Sequence, residues 1–176
     1  MSSTGTLQIA GAGSTFGYPI YSKWFGDYNK LHPTIQISYN SIGSGAGVQQ
    51  FTAGTVFFGA TDVPMTEMQL QAAGRPVLHL PTVIGGVVPI YNVPGITASL
   101  KFTGQVLANI FLGHITKWND PAIAAVNPGV GLPDTDILVV HRSDGSGTTA
   151  IWADYLSKVS PEWKQNVGVS TAIHWP

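Results

Sequence analysis

Four stretches of this chain set small or glycine residues beside a hydroxyl or a charge where a strand gives way to a helix. They are Gly11-Ala12-Gly13-Ser14-Thr15-Phe16, Gly43-Ser44-Gly45-Ala46-Gly47, Gly59-Ala60-Thr61-Asp62 and Arg142-Ser143-Asp144-Gly145-Ser146-Gly147-Thr148. Helix N-termini expose unpaired backbone N–H groups and the positive end of the helix dipole, so stretches of this kind attract anions. Glycine lets the backbone come close to a ligand, and serine or threonine hydroxyls add donors. Taken singly, each stretch also reads as a helix cap or a tight turn. Three of them beside a fourth that carries an arginine are harder to explain by capping alone.

Arg142 is one of two arginines, the other being Arg75, and it directly follows the apolar run Ile137 to Val140. An unpaired charge beside a buried strand is costly. One reading pairs Arg142 with Asp144 and nothing else. The other has Asp144 hold the guanidinium while it forks onto two oxygens of an anion. Asp62 is diagnostic in the same sense. A carboxylate repels a fully ionised ligand but accepts a hydrogen bond from a protonated oxygen. Phosphate near neutral pH keeps a proton and sulfate does not, so one carboxylate among donors selects phosphate and leaves sulfate facing an unpaired acceptor. The plainer alternative is that Asp62 caps the helix after Pro64.

Composition narrows the remaining classes. The 176 residues suffice for one compact domain or two small lobes. An apolar share of 44% with a full set of aromatic residues argues against disorder. A formal net charge of −1 gives no broad basic field, which excludes nucleic acid as an expected partner. An anion would have to be held by local geometry. With no cysteine there is neither a disulfide framework nor a thiolate metal site. The histidines (His32, His79, His114, His141, His174) lack metal-ligand spacing and read as surface or structural groups. No catalytic residue, metal or cofactor is indicated. Gly145-Ser146-Gly147 lacks the flanks of a nucleophile elbow, and no Gly-Lys-Ser/Thr loop occurs. The N-terminal Met1-Ser2-Ser3-Thr4-Gly5 shows no basic segment followed by an apolar one, so no signal peptide is visible.

The elements that must position these residues alternate between strand and helix. Leu7 to Ala10 reads as a strand and is followed by a helix capped by Ser14 or Thr15, with Phe16, Ile20, Trp24, Tyr28 and Leu31 on one face. Ile35, Ile37 and Tyr39 alternate as a second strand, and Ser44 to Gly47 opens a short helix. Val56 to Ala60 reads as a buried strand. A short helix is expected near Glu67 to Ala73, and Val83 to Val93 is expected to cross between lobes. Thr103 caps a helix with Val106, Leu107, Ile110 and Phe111 inward. Ile137 to Val140 reads as a further buried strand, leading into Arg142. A helix with Ile151, Trp152, Tyr155 and Leu156 follows, and Ser160-Pro161-Glu162 starts another. Trp24, Trp152 and Trp163 read as core residues. Thr171 to Trp175 reads as an incoming strand at which the chain stops. Such alternation predicts an α/β fold with a mostly parallel sheet covered by helices.

In these motifs the chain resembles the periplasmic phosphate-binding proteins of phosphate-specific ABC transporters. The resemblance is carried by Gly11 to Phe16, Ile42-Gly43-Ser44, Phe58-Gly59-Ala60-Thr61-Asp62-Val63-Pro64 and Pro81-Thr82-Val83-Ile84-Gly85-Gly86-Val87-Val88. It continues through Leu112-Gly113-His114-Ile115-Thr116-Lys117-Trp118-Asn119-Asp120 and Arg142 to Thr148. It implies a two-lobe clamshell of mixed, mostly parallel sheets flanked by helices, with residues 1–82 as the first lobe and 83–176 as the second. It also implies that Thr15 and Phe16 offer backbone N–H groups, that Ser44 donates, and that Asp62 accepts the phosphate proton. Arg142 would supply the charge with Asp144 behind it, and Ser146, Gly147 and Thr148 would close the cage. An ABC permease and a periplasmic or cell-surface location follow from the same resemblance.

Two departures are mild: the early proline is displaced to Pro19, and Gly45 stands where a second serine is common. The larger departure is length. Family members run roughly twice as long, so the chain reads as an N-terminal portion, with an open sheet edge or exposed apolar surface. Self-association, or the missing C-terminal half as a partner, is the expectation. Two competing functions stay in view. One is a phosphoryl-transferring or hydrolytic enzyme using Ser146 or Thr148, which would need a base that no histidine is placed to supply. The other is a binder of sulfate or a related oxyanion, against which Asp62 argues.

Overall fold

The structure is a computed structural model that describes residues 5–176. Met1 to Thr4, part of the N-terminal segment read for an export signal, lie outside the described residues. The N-terminal part is built on one parallel sheet of strands β1 (Leu7–Gly13), β2 (Ile35–Ser41) and β3 (Phe58–Ala60), in the order β2-β1-β3. Parallel neighbours need crossovers. Helix α1 (Tyr18–Leu31) makes the first and helix α2 (Ser44–Thr52) the second. The sheet is therefore flanked by helices, as the alternation predicts.

Strand β1 is longer than its apolar residues suggest. It runs through Gly11-Ala12-Gly13, pairing Leu7 with Ile35 at one end and Gly13 with Ser41 at the other. On its far side Gly11 to Gly13 pair with Phe58 to Ala60. Small residues are needed there: a Cβ at Gly11 would lie 2.1 Å from the Phe58 ring, and one at Gly13 would lie 2.0 Å from the Ala60 carbonyl oxygen. The expected buried strand from Val56 is shorter, beginning at Phe58, and it is an edge strand in the middle range of exposure.

Helix α1 differs from expectation at its start. Its N-cap is Gly17, with Pro19 in the first turn, and neither Ser14 nor Thr15 caps it. Phe16 therefore lies outside the helix. The helix buries no residue fully: Trp24 is 45% exposed and Leu31 76%. Trp24 is thus not a core residue, whereas Trp163 is fully buried and Trp152 is intermediate.

Helix α3 (Glu67–Ala73) opens on a capping box in which Thr66 and Gln69 satisfy each other's backbone N–H groups. From Gly74 to Thr103 the chain forms neither helix nor strand, and it includes the expected crossover Val83 to Val93. The C-terminal part is helical: α4 (Gly104–Phe111), α5 (Pro121–Val126), α6 (Gly147–Val159) and α7 (Pro161–Asn166). Thr103, Asp120, Ser146 and Ser160 cap them in turn. Leu107, Ala108 and Leu112 pack against Ala153, Leu156 and Trp163, while Val106, Ile110, Ile115 and Ile123 form a second cluster.

Two expected strands are absent among the described residues. Ile137 to Val140 forms no strand; beyond the lone antiparallel bridge of its neighbour Asp136 to Lys117, only Ile137 is tied by the backbone, donating its N–H to the Thr116 carbonyl at 2.7 Å. Ile137 and Val139 rest on the second cluster, while Leu138 and Val140 are 86% and 84% exposed. The alternation of a strand is present and the neighbouring strand is not. Thr171 to Trp175 is likewise irregular. Trp175 instead stacks on His141, with ring centroids 4.6 Å apart. No helix among the described residues is long and apolar enough to cross a membrane.

Candidate functional site

The C-terminal ends of β1 and β3, the start of α2 and the loop entering α6 converge. Strand β1 delivers Ser14, Thr15 and Phe16; β2 leads through Gly43 to Ser44; β3 delivers Asp62. Ligands of open parallel sheets bind at this edge, where the strand order switches about β1. Gly43, the N-cap of α2, has φ +89°, a backbone conformation that glycine adopts without strain, and Ser44 follows it as the first helical residue. Ile42 and Gly43 both donate their N–H to the Gly13 carbonyl, at 3.1 and 2.9 Å. That contact ties the second loop to the first.

Asp62 sits at the centre of the contacts. The Ser14 hydroxyl donates to its Oδ1. Its backbone N–H donates to Ser44 Oγ at 3.2 Å, and the Thr148 hydroxyl lies 3.5 Å from Oδ2. The capping alternative for Asp62 fails, because α3 is capped by Thr66. Ser44 is 1% exposed.

Arg142 reaches the same place from the other side. Its Nε and Nη2 donate to Oδ1 and Oδ2 of Asp144 at 2.6 and 2.5 Å, and its Nη1 donates to Thr15 Oγ1 at 3.1 Å. The pairing with Asp144 is present, gripping one side of the fork, and the remaining nitrogen turns toward the first loop. The hydrogen bond and charge of Asp144 raise the Arg142 pKa further above its ordinary value. In return the Arg142 guanidinium holds the Asp144 carboxyl below the usual carboxylate range. The pair is fully charged at neutral pH.

The loop entering α6 is pressed against the first two loops. Gly45 donates its N–H to the Gly145 carbonyl at 2.8 Å. A Cβ at Gly147 would lie 2.5 Å from Ser44 Oγ and 2.6 Å from Asp62 Oδ2, so only glycine allows this approach. Ser146 is 1% exposed, and its Oγ accepts the Thr149 N–H as the helix cap. Gly147 and Thr148 open the helix, where N–H groups have no intrahelical acceptor.

All eight residues marked in the sequence (Thr15, Phe16, Ser44, Asp62, Arg142, Ser146, Gly147 and Thr148), with Asp144 behind Arg142, thus lie on converging loops. They are not equally free. The Phe16 N–H donates to Ser14 Oγ at 3.1 Å, and its ring is 46% exposed. Sequence reasoning treated Ser14 only as a cap and missed its bond to Asp62, which spans 48 positions. It also missed Tyr39, whose hydroxyl donates to the Ser14 carbonyl at 2.8 Å and whose pKa is pushed well up by burial, with Tyr21 and Asp62 adding to the effect.

A family profile described as a PBP superfamily domain matches residues 1–173. Among curated relatives, the phosphate-binding protein PstS of Pasteurella multocida is 55% identical over 98% of this chain and 50% of its own length. The phosphate-binding protein PstS of Methanocaldococcus jannaschii is 42% identical over 97% of this chain and 46% of its own length. The chain spans about half the length of the curated relatives it matches. Among solved structures, a Clostridium perfringens protein with bound phosphate superposes with a TM-score of 0.60 at 20% identity, over 85% of this chain and 56% of that one. An ABC-type phosphate transport receptor from Vibrio cholerae gives 0.53 at 22% identity, over 84% and 54%. These two likenesses establish the fold.

Proposed function

The chain belongs to the PBP superfamily, and from that premise we propose that it captures inorganic phosphate and passes it to an ABC importer without transforming it. One observation carries the reading: a single carboxylate, Asp62, lies among hydroxyl donors and opposite an arginine held by its own counter-ion. A cage of donors alone would take any oxyanion. One fixed acceptor makes it favour an oxyanion that still carries a proton. The relatives named as phosphate-binding proteins, and the bound phosphate of the Clostridium protein, support the same choice of ligand.

In this reading Asp62 accepts the ligand proton and Arg142 takes two oxygens, with Asp144 orienting it. Thr15, Ser44, Ser146 and Thr148 donate hydroxyls, and the N–H groups of Phe16, Gly147 and Thr148 complete the shell, the Ser146 N–H being held by the Thr171 carbonyl at 2.8 Å. Residues 1–82 and 83–176 serve as the two walls. The permease is the downstream partner, and the site of action is the periplasm or cell surface. Hydrolysis or phosphoryl transfer is the less favoured reading: the Ser146 hydroxyl oxygen accepts the Thr149 N–H as a helix cap, and the Thr148 hydroxyl, 3.5 Å from Asp62, would need that carboxylate as its base instead of as the ligand's acceptor.

Titration calorimetry with phosphate and with sulfate on the purified protein and its Asp62→Asn variant tests the assignment. Phosphate should bind the parent and sulfate should not compete. The variant should lose about tenfold or more in phosphate affinity, the cost of a lost charged hydrogen bond. Equal binding of the two anions, or indifference to Asp62→Asn, would overturn it.

A further inference from the structure

We infer that Ser14 is a positioning residue for the binding carboxylate: it ties down Oδ1 of Asp62 so that Oδ2 alone is presented to the ligand. The inference rests on the phosphate reading above and deepens it. Four hydrogen bonds leave Ser14 almost no freedom. Its N–H donates to the Ala60 carbonyl at 2.8 Å, and its carbonyl accepts the Tyr39 hydroxyl at 2.8 Å. Its Oγ accepts the Phe16 N–H at 3.1 Å and donates its one proton to Asp62 Oδ1. The side chain is 3% exposed, so water does not compete for that proton.

A serine at this place in the chain would ordinarily be read as the cap of the next helix. It is not one here, because α1 begins at Tyr18 with Gly17 as its N-cap. The hydroxyl is therefore committed to the carboxylate, and its direction is set: a carboxylate only accepts, so the Ser14 hydroxyl donates. The two carboxylate oxygens are then unequal. Oδ1 is engaged from the β1 side by the Ser14 hydroxyl. Oδ2 faces the Thr148 hydroxyl at 3.5 Å and stands 2.6 Å from where a Cβ on Gly147 would lie, on the side of the anion-binding loop. A carboxylate free to rotate would present either oxygen, and the bond to a protonated ligand would lose its fixed geometry. The same arrangement links the ligand to the scaffold. The Phe16 N–H, proposed to bind the ligand, is held meanwhile by the oxygen that orients Asp62.

A double-mutant cycle on the purified protein, read by phosphate titration, tests the role. Ser14→Ala should weaken phosphate binding about tenfold, and Ser14→Cys, close in size but a poor donor, should fall with it. In the Asp62→Asn background Ser14→Ala should add less than twofold, because the group it orients has lost its charge. Parent-like affinity in Ser14→Ala overturns the inference. So does an equal loss in both backgrounds, which is what a general loosening of the loop would cause. Failure of the parent to bind phosphate at all overturns the phosphate reading and this inference with it, whereas parent binding with a silent Ser14→Ala removes the inference alone.

Discussion

The guanidinium of Arg142 shows how little of an anion site a charge count conveys. The chain has a net charge of −1, and the positive group that matters is already paired. Its value lies in geometry: two nitrogens are fixed by Asp144 and a third points at Thr15. Lysine cannot reproduce that fork, so Arg142→Lys should weaken phosphate binding by about tenfold to a hundredfold with little change in thermal stability, measured by calorimetry and melting. The pair also sets a pH dependence. The Asp144 carboxyl is held below its ordinary value in the folded protein by Arg142. A depressed value means that the pair contributes fully above the unfolded carboxylate range, about pH 4, and that the contribution disappears as pH falls through the lower folded value. Both side chains are about two-fifths exposed, so the effect on folding is small. Its larger consequence is for binding. Asp144→Asn should therefore weaken binding at neutral pH while leaving the parent and the variant more nearly alike once acid has protonated the Asp144 carboxyl; a difference that persists after that carboxyl has titrated would contradict this.

Elements were legible in proportion to how local their causes are. Helix α3 (Glu67–Ala73) and the start of α7 at Ser160-Pro161-Glu162 coincide with their sequence signals, because a cap, a first-turn proline and a capping box act within four residues. Thr66→Ala should remove one such box and lower stability by about 1 kcal/mol in denaturant unfolding. Strands were legible only where a partner exists. Ile35 to Ser41 pairs along its whole length, whereas Ile137 to Val140 shows the same alternation without a neighbour and remains irregular. Alternation states which face is apolar and says nothing of what lies alongside. The site was legible as a set of loops, since glycines and hydroxyls at strand ends are visible one by one. The contacts that join them, Ser14 to Asp62 and Gly45 to Gly145, connect residues far apart in the chain and leave no periodic trace. Those contacts depend on missing side chains. Gly147→Ala would drive a methyl into Ser44 Oγ and Asp62 and hold the loops apart. Phosphate affinity should fall about tenfold or more although alanine favours the helix, and a variant that gains stability without losing affinity would show that the loops do not close as described.

At the scale of the whole molecule the balance of apolar surface is unusual. Ile84 and Ile90 are 99% and 93% exposed, and Leu78, Leu80, Val88, Leu138 and Val140 are each more than 70% exposed. Scattered exposed leucines need no explanation, but these fall in two stretches that form neither helix nor strand. The sheet adds to the effect, because β2 and β3 are both edges and β3 is three residues long. Unpaired edges and extended apolar runs seek partners of the same kind. Such surface loses water by closing against further polypeptide, and at roughly 25 cal/mol per Å² even a few hundred Å² offsets a substantial part of the cost of association. This chain alone should therefore self-associate, with a sedimentation coefficient that rises with concentration across the micromolar range. Leu138→Lys with Val140→Lys should reduce the rise, because charges placed on the exposed side of the run oppose strand addition without touching Ile137 and Val139, which face the cluster around Ile110. A single sedimenting species of monomer mass at every concentration would show that the exposed runs are tolerated in water, and that the closure of the anion-binding loops needs no further surface to support it.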